Sequence, residues 1–151
     1  MSSKEWGNIT WKFFHTIAER VNESKFPEIK HIMIKIIVNT CNNLPCPECK
    51  EHASNIIKQS YTNNIKTKKH YIEFLRQLHN IVNIKLNKKI YSDEEIKNMY
   101  INENLSEILF KFKSIYSKNQ IAERMITHNL RKKQFLISLL NDLNTIKYAF
   151  N

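Results

Sequence analysis

The chain has one glycine in 151 residues. Sandwiches, barrels and nucleotide-binding loops need glycine for positive-φ turns and for close approach of backbone to phosphate. A Rossmann or P-loop enzyme is therefore excluded, and what remains is an all-α protein. With 42% hydrophobic and 25% charged residues the chain can bury a core. Its length suits one domain with room for an appendage.

The apolar spacing is helical along nearly the whole chain. Trp11, Phe14, Ala18 and Val21 form one stripe, and Pro27 separates this helix from the next. Ile29, Ile32, Met33, Ile36 and Ile37 carry the second helix, which Asn42, Asn43 and Pro45 end. Pro47 suits the first position of a third, with Cys49, Ala53, Ile56 and Ile57 inward, and Tyr61 to Lys69 reads as a loop. Tyr71, Phe74, Leu75, Leu78, Val82 and Leu86 mark a fourth helix stopping near Asn87; Ser92 and Glu95 form a capping box for a short fifth. Leu105, Ile108, Leu109, Phe112 and Tyr116 continue the period. In a last helix, Leu136, Leu139, Leu140, Leu143 and Ile146 need covering, and a second copy of the chain is the expected cover. Arg131, Lys132 and Lys133 open that helix at its positive end, where basic residues are unfavourable, which points to an acidic partner. The expectation is a four-helix bundle plus short fifth helix in residues 1–104, followed by a basic helical extension in 105–151.

A formal charge of +10 would suit an anionic partner. The excess is lysine, however, twenty against four arginines, and nucleic-acid readers favour the bidentate geometry of arginine. Lys, Ile and Asn share A/T-rich codons, so base composition explains much of the bias and a nucleic-acid partner is not expected. The most apolar stretch, Ile29 to Val38, is broken by Lys30, His31 and Lys35, so no membrane span is expected. No signal-peptide pattern opens the chain, and the expected location is cytoplasmic. Three cysteines are too few for a disulfide-stapled secreted domain; in the cytosol a disulfide is more often catalytic than structural.

Cys46-Pro47-Glu48-Cys49 is the sharpest local feature. A dithiol at this spacing can close a ring across the first turn of a helix, whose free amides and dipole favour a thiolate. That is a geometry for thiol–disulfide exchange. Zinc is the rival, since Cys41, Cys46, Cys49 and His52 offer four donors. Trp11 and His15 lie one turn apart on the apolar face, either as ordinary core or as an aromatic site. His79 and Asn83 intrude on the buried stripe of the fourth helix, and buried polar groups need partners. Together with the dithiol these patches suggest a cofactor with an aromatic face and polar edges, and Lys85, Lys88 and Lys89 could neutralise phosphate.

Three motifs occur in order: Trp-Gly-x-x-x-Trp-x-x-x-His (Trp6 to His15), Leu-Pro-Cys-Pro-x-Cys-x-x-His (Leu44 to His52) and His-Asn-x-Val-Asn-x-Lys-Leu-Asn-Lys-Lys (His79 to Lys89). Over about residues 4–103 the chain resembles the Erv/ALR family of FAD-linked sulfhydryl oxidases, and most of all the short forms of large cytoplasmic DNA viruses. The resemblance implies a helical bundle holding FAD, a protein dithiol or thioredoxin-like protein as electron donor, oxygen as acceptor and a homodimer. It implies that Cys49 is the flavin-proximal sulfur and Cys46 the exchanging one. Gly7, Trp11, His15, His79, Asn80 and Asn83 would contact FAD, with Lys85 and Lys88 toward its phosphates and Tyr100 closing the adenine pocket. No metal ligand is implied. The chain departs from the pattern in two ways. Arg76 and Gln77 stand near where cellular members begin a second, structural disulfide, and no shuttle pair of cysteines follows Cys49. A helical zinc or scaffold module with a basic nucleic-acid-binding tail is the alternative.

Overall fold

The computed structural model describes residues 3–118 and 126–151; Met1, Ser2 and residues 119–125, the last inside the expected extension, lie outside the described residues. The described chain is all-α: α1 (Ser3–Arg20), α2 (Phe26–Cys41), α3 (Pro47–Gln59), α4 (Lys68–Lys85), α5 (Asp93–Tyr100), α6 (Leu105–Tyr116) and α7 (Ile126–Ile146). No helix among the described residues is long and apolar enough to cross a membrane.

The helix boundaries have local causes. Pro27 lies in the first turn of α2, where its missing N–H is harmless. Within the expected Tyr61–Lys69 loop, Thr62–Asn64 form a 3-10 turn. Thr67 then accepts the amide of His70, so α4 starts at Lys68, one residue before the expected end of the loop. Asn87 adopts φ 55°. Lys88 N donates to Asn83 O at 2.8 Å and Asn87 N to Ile84 O at 3.2 Å. This left-handed closure ends α4 and turns the chain back. The Ser92–Glu95 capping box is formed at both contacts.

α1 is buried on two faces, not one. Phe14, Ala18 and Val21 belong to the expected stripe, but Ile9, Phe13 and Ile17 are buried as well. α6 lies along α1, with the Phe112 ring 4.8 Å from Phe13 and 4.1 Å from Tyr116. α7 packs on α2, and Lys35 Nζ meets Asp142 Oδ1 at 3.1 Å. Leu136, Leu139, Leu143 and Ile146 join the same hydrophobic cluster as Ile29, Met33, Ile36 and Ile37. The last stripe is thus covered by its own chain, except for Leu140, which is 38% exposed.

The hint of an acidic partner does not survive either. α7 already runs from Ile126, so Arg131–Lys133 sit past its first turn, away from the positive end. Lys132 is 4% exposed and donates to Lys118 O at 2.5 Å, just beyond α6. Its ammonium ties α7 to the chain just past α6, and burial pushes its pKa down. Residues 149–151 clasp the end of α1: Asn22 N donates to Ala149 O, Asn151 N to Arg20 O, and Val21 pairs with Phe150.

Candidate active site

α1, α3, α4 and α5 enclose a cavity of about 980 Å³, at the upper end of the range for small-molecule and cofactor sites. Its walls differ in chemistry. One is aromatic: Trp11 stacks on His79 at 3.9 Å and 9°, and Tyr91 lies 5.5 Å from His79. One is basic, with Lys85 and Lys88 where α4 ends and the chain turns back. The third carries sulfur.

Cys46 is the N-cap of α3, and its Sγ accepts from Cys49 N at 3.2 Å. Pro47 fixes the first helical position and Cys49 falls within the first turn. The two cysteines are joined in a disulfide with Cα atoms 5.2 Å apart. Cys49 lines the cavity; Cys46, half-buried, does not. Cys41 also lines it, but burial pushes this thiol up to about 12, so it stays protonated and unreactive.

Gly7, Trp11, His79, Asn83, Lys85, Lys88 and Tyr100 line the cavity together with Cys49. A Cβ at Gly7 would meet nothing within 4 Å. A helical glycine costs about 1 kcal/mol relative to alanine, and here it leaves the cavity wall flat. Asn83 is buried and donates to Lys89 O at 2.8 Å, holding the basic turn. His15 and Asn80 stand behind the wall. His15 Nε2 meets His79 Nδ1 at 2.9 Å, and its ring stacks on Tyr100 at 4.7 Å. Burial, with a smaller push from His79, lowers the His15 pKa to about 3. Burial, then Lys88, lowers that of His79 to about 4. Both rings are neutral at pH near 7, so one nitrogen of the pair donates and the other accepts. Asn80 brackets Tyr91, donating to its carbonyl and accepting from its amide, each at 2.8 Å.

Sequence reasoning missed Trp6, Thr10, Tyr91 and Glu103 as wall residues. Trp6 and Thr10 carried a usable signal, since they repeat the spacing of Gly7 and Trp11 on α1. Tyr91 and Glu103 lie in irregular chain, where periodicity says nothing. His52, read only as a metal donor, lines the same cavity one turn beyond Cys49. Its pKa is lowered by burial and by Lys85.

Arg76, midway along α4, forms an ionic clasp. Its guanidinium meets Glu73 Oε1 at 2.5 Å, Asp93 Oδ1 at 2.6 Å and Tyr91 O at 3.2 Å. α5 and the Tyr91 wall are tied to α4 through charge.

The donor set fits FAD, a group with an aromatic ring system, a pyrophosphate and a site for reaction with thiolate. It fits zinc poorly. Cys46 and Cys49 are bonded to each other, and among the described residues no three or more His, Cys, Asp or Glu side chains gather as metal ligands do.

The profile of the Erv1/Alr family matches residues 8–101. The chain belongs to the Erv1/Alr family. It is 36% identical over 96 residues to an FAD-linked sulfhydryl oxidase of African swine fever virus, covering 63% of this chain and 79% of that one. A second isolate's oxidase is 36% identical over 104 residues, covering 68% and 86%. An FAD-linked sulfhydryl oxidase of Arabidopsis thaliana is 25% identical over 96 residues, or 64% and 50%. α6 and α7 lie beyond the Erv1/Alr match, yet they share one core with it.

Proposed function

We propose that this Erv1/Alr protein is an FAD-dependent thiol oxidase that makes protein disulfides, using oxygen as the final acceptor and releasing hydrogen peroxide. The observation that carries the reading is the placement of one disulfide across the cavity boundary, Cys49 in the wall and Cys46 outside it.

That placement sets the order of exchange. An incoming substrate thiolate attacks Cys46 Sγ, the sulfur not held in the wall, and the Cys46–Cys49 bond breaks. Cys49 leaves as a thiolate at the start of α3, where free amides and the helix dipole stabilise it. The second substrate thiol, losing its proton, then attacks the mixed disulfide and displaces Cys46, whose thiolate accepts from Cys49 N. Two electrons have passed from substrate to the cysteine pair. FAD, when bound, supplies a two-electron acceptor and reactivity with oxygen. Trp11, His79, Tyr91 and Tyr100 would hold its ring systems, and Lys85 and Lys88 its phosphates. The neutral His15–His79 pair holds His79 in place without adding charge to the wall.

In this reading a protein dithiol or a thioredoxin-like donor delivers electrons to Cys46, in the cytoplasm. The stripe expected to carry self-association is covered internally, so a homodimer uses another face.

The test is the absorption spectrum and dithiol-dependent peroxide production of the purified full chain, with Trp11→Ala beside it. Bound flavin, lowered by Trp11→Ala, supports the reading. Stoichiometric zinc without flavin overturns it.

A further inference from the structure

The wall of the cavity and the C-terminal extension are joined by two hydrogen bonds in series, one buried and one partly buried. Thr10 Oγ1 donates to Trp6 O at 2.6 Å. The same oxygen lies 2.6 Å from the phenolic oxygen of Tyr116, across 106 residues of chain. A threonine hydroxyl has one hydrogen, and here the Trp6 carbonyl takes it. Tyr116 is therefore the donor of the second bond. Its side chain is fully buried, and its ring is stacked on Phe112 and packed against Phe135 of α7. Its donor is held rigidly by both helices of the extension.

Thr10, Trp6 and their neighbours Gly7 and Trp11 all line the cavity. This is the first part of α1, where a glycine lies within the helix and weakens it. Tyr116 braces it from behind, through the Thr10 hydroxyl that also holds the Trp6 carbonyl.

We propose that Tyr116 is a positioning residue for the flavin-binding wall, so that the extension beyond the Erv1/Alr match sets how firmly FAD is held. The inference rests on the reading of the cavity as the FAD site. Tyr116 acts through Thr10, whose hydroxyl fixes the turn carrying Trp6, Gly7 and Trp11 against the cofactor.

The experiment compares three full-length holoproteins: wild type, Tyr116→Phe and Ile115→Val. FAD release is followed by the return of flavin fluorescence after dilution, and thermal stability is measured on the same samples. Tyr116→Phe keeps the ring and removes only the donor; Ile115→Val thins the core beside it on the same helix. Each is expected to lower stability by a similar small amount, since one hydrogen bond and one buried methylene are of comparable worth. Tyr116→Phe should also speed FAD release roughly five- to tenfold, while Ile115→Val leaves it near wild type. In the Thr10→Val background, Tyr116→Phe should add little further, because the linking hydroxyl is already gone. Wild-type release in Tyr116→Phe overturns the proposal. So does equal acceleration in Ile115→Val, because release would then follow overall stability. A wild-type protein that takes up no FAD overturns the reading of the cavity instead, and the two failures are told apart by that sample.

Discussion

Acid should weaken this protein well before its carboxylates titrate, because two neutral imidazoles are buried together. His15 and His79 are 1% and 5% exposed, with pKa values lowered to about 3 and about 4. In the unfolded chain each returns to about 6.5. Between these values the unfolded state binds more protons than the folded one, so stability falls as pH drops. The contribution is complete above about pH 6.5 and is lost progressively below it, at about 1.4 kcal/mol per pH unit for each ring. At about pH 5 that is about 2 kcal/mol for one ring and about 4 kcal/mol for both. Against a typical total of about 5–15 kcal/mol, a loss of that size moves a denaturation midpoint far. Glu19, raised by burial, acts in the opposite sense, from its ordinary range upward. Glu73, lowered chiefly by its hydrogen bond to Arg76, acts in the same sense as the histidines, at lower pH. The assay is urea unfolding of the FAD-saturated chain at several pH values, repeated for His15→Gln. The slope should be steep in the wild type and about half as steep in the variant. A flat profile, or a slope that the substitution leaves unchanged, refutes the reasoning.

Cys46→Ser and Cys49→Ser should each abolish dithiol oxidation and retain FAD, as shown by peroxide assay and spectrum, whereas Cys41→Ser should turn over at close to the wild-type rate because its buried thiol takes no part. Arg76→Met should break the clasp between α4 and α5 and lower the melting temperature by several degrees, a loss of about 1–3 kcal/mol for a hydrogen-bonded charge at a half-buried site; added salt should then affect the variant less than the wild type. Truncation after Asn104 should uncover Ile9, Phe13 and Ile17 together with the α2 face, so gel filtration should show aggregated or unfolded protein without flavin; a monodisperse, yellow truncated protein would count against the shared core.

Helix content was legible because it depends on near neighbours. Pro47 and the Ser92–Glu95 box mark starts within one turn, and the α2 isoleucines mark a face at a regular spacing. The cysteine pair was legible for the same reason, its chemistry lying within four residues of one helix start. What periodicity cannot encode is which distant group meets a face. Asn80 was placed toward a ligand, but it serves the Tyr91 backbone eleven residues away. Lys132 looked like an exposed charge at a helix opening, and it ties α7 to the chain just past α6 instead. α1 showed one stripe because Phe13 and Ile17 read as scatter until α6 lay against them. The α7 start is hard to read because Thr127, His128 and Asn129 leave Ile126 and Leu130 as a single apolar pair ahead of the basic run.

The clasp of residues 149–151 on the end of α1 dictates when the core can close. A chain emerging from the ribosome N-terminus first exposes α1 long before α6 and the residues beyond α7 exist. Two of its faces then have no lasting cover, and contacts of such long sequence separation form slowly. Closure of the core therefore waits for α6, α7 and residues 149–151 to emerge, whatever the state of the helices before them.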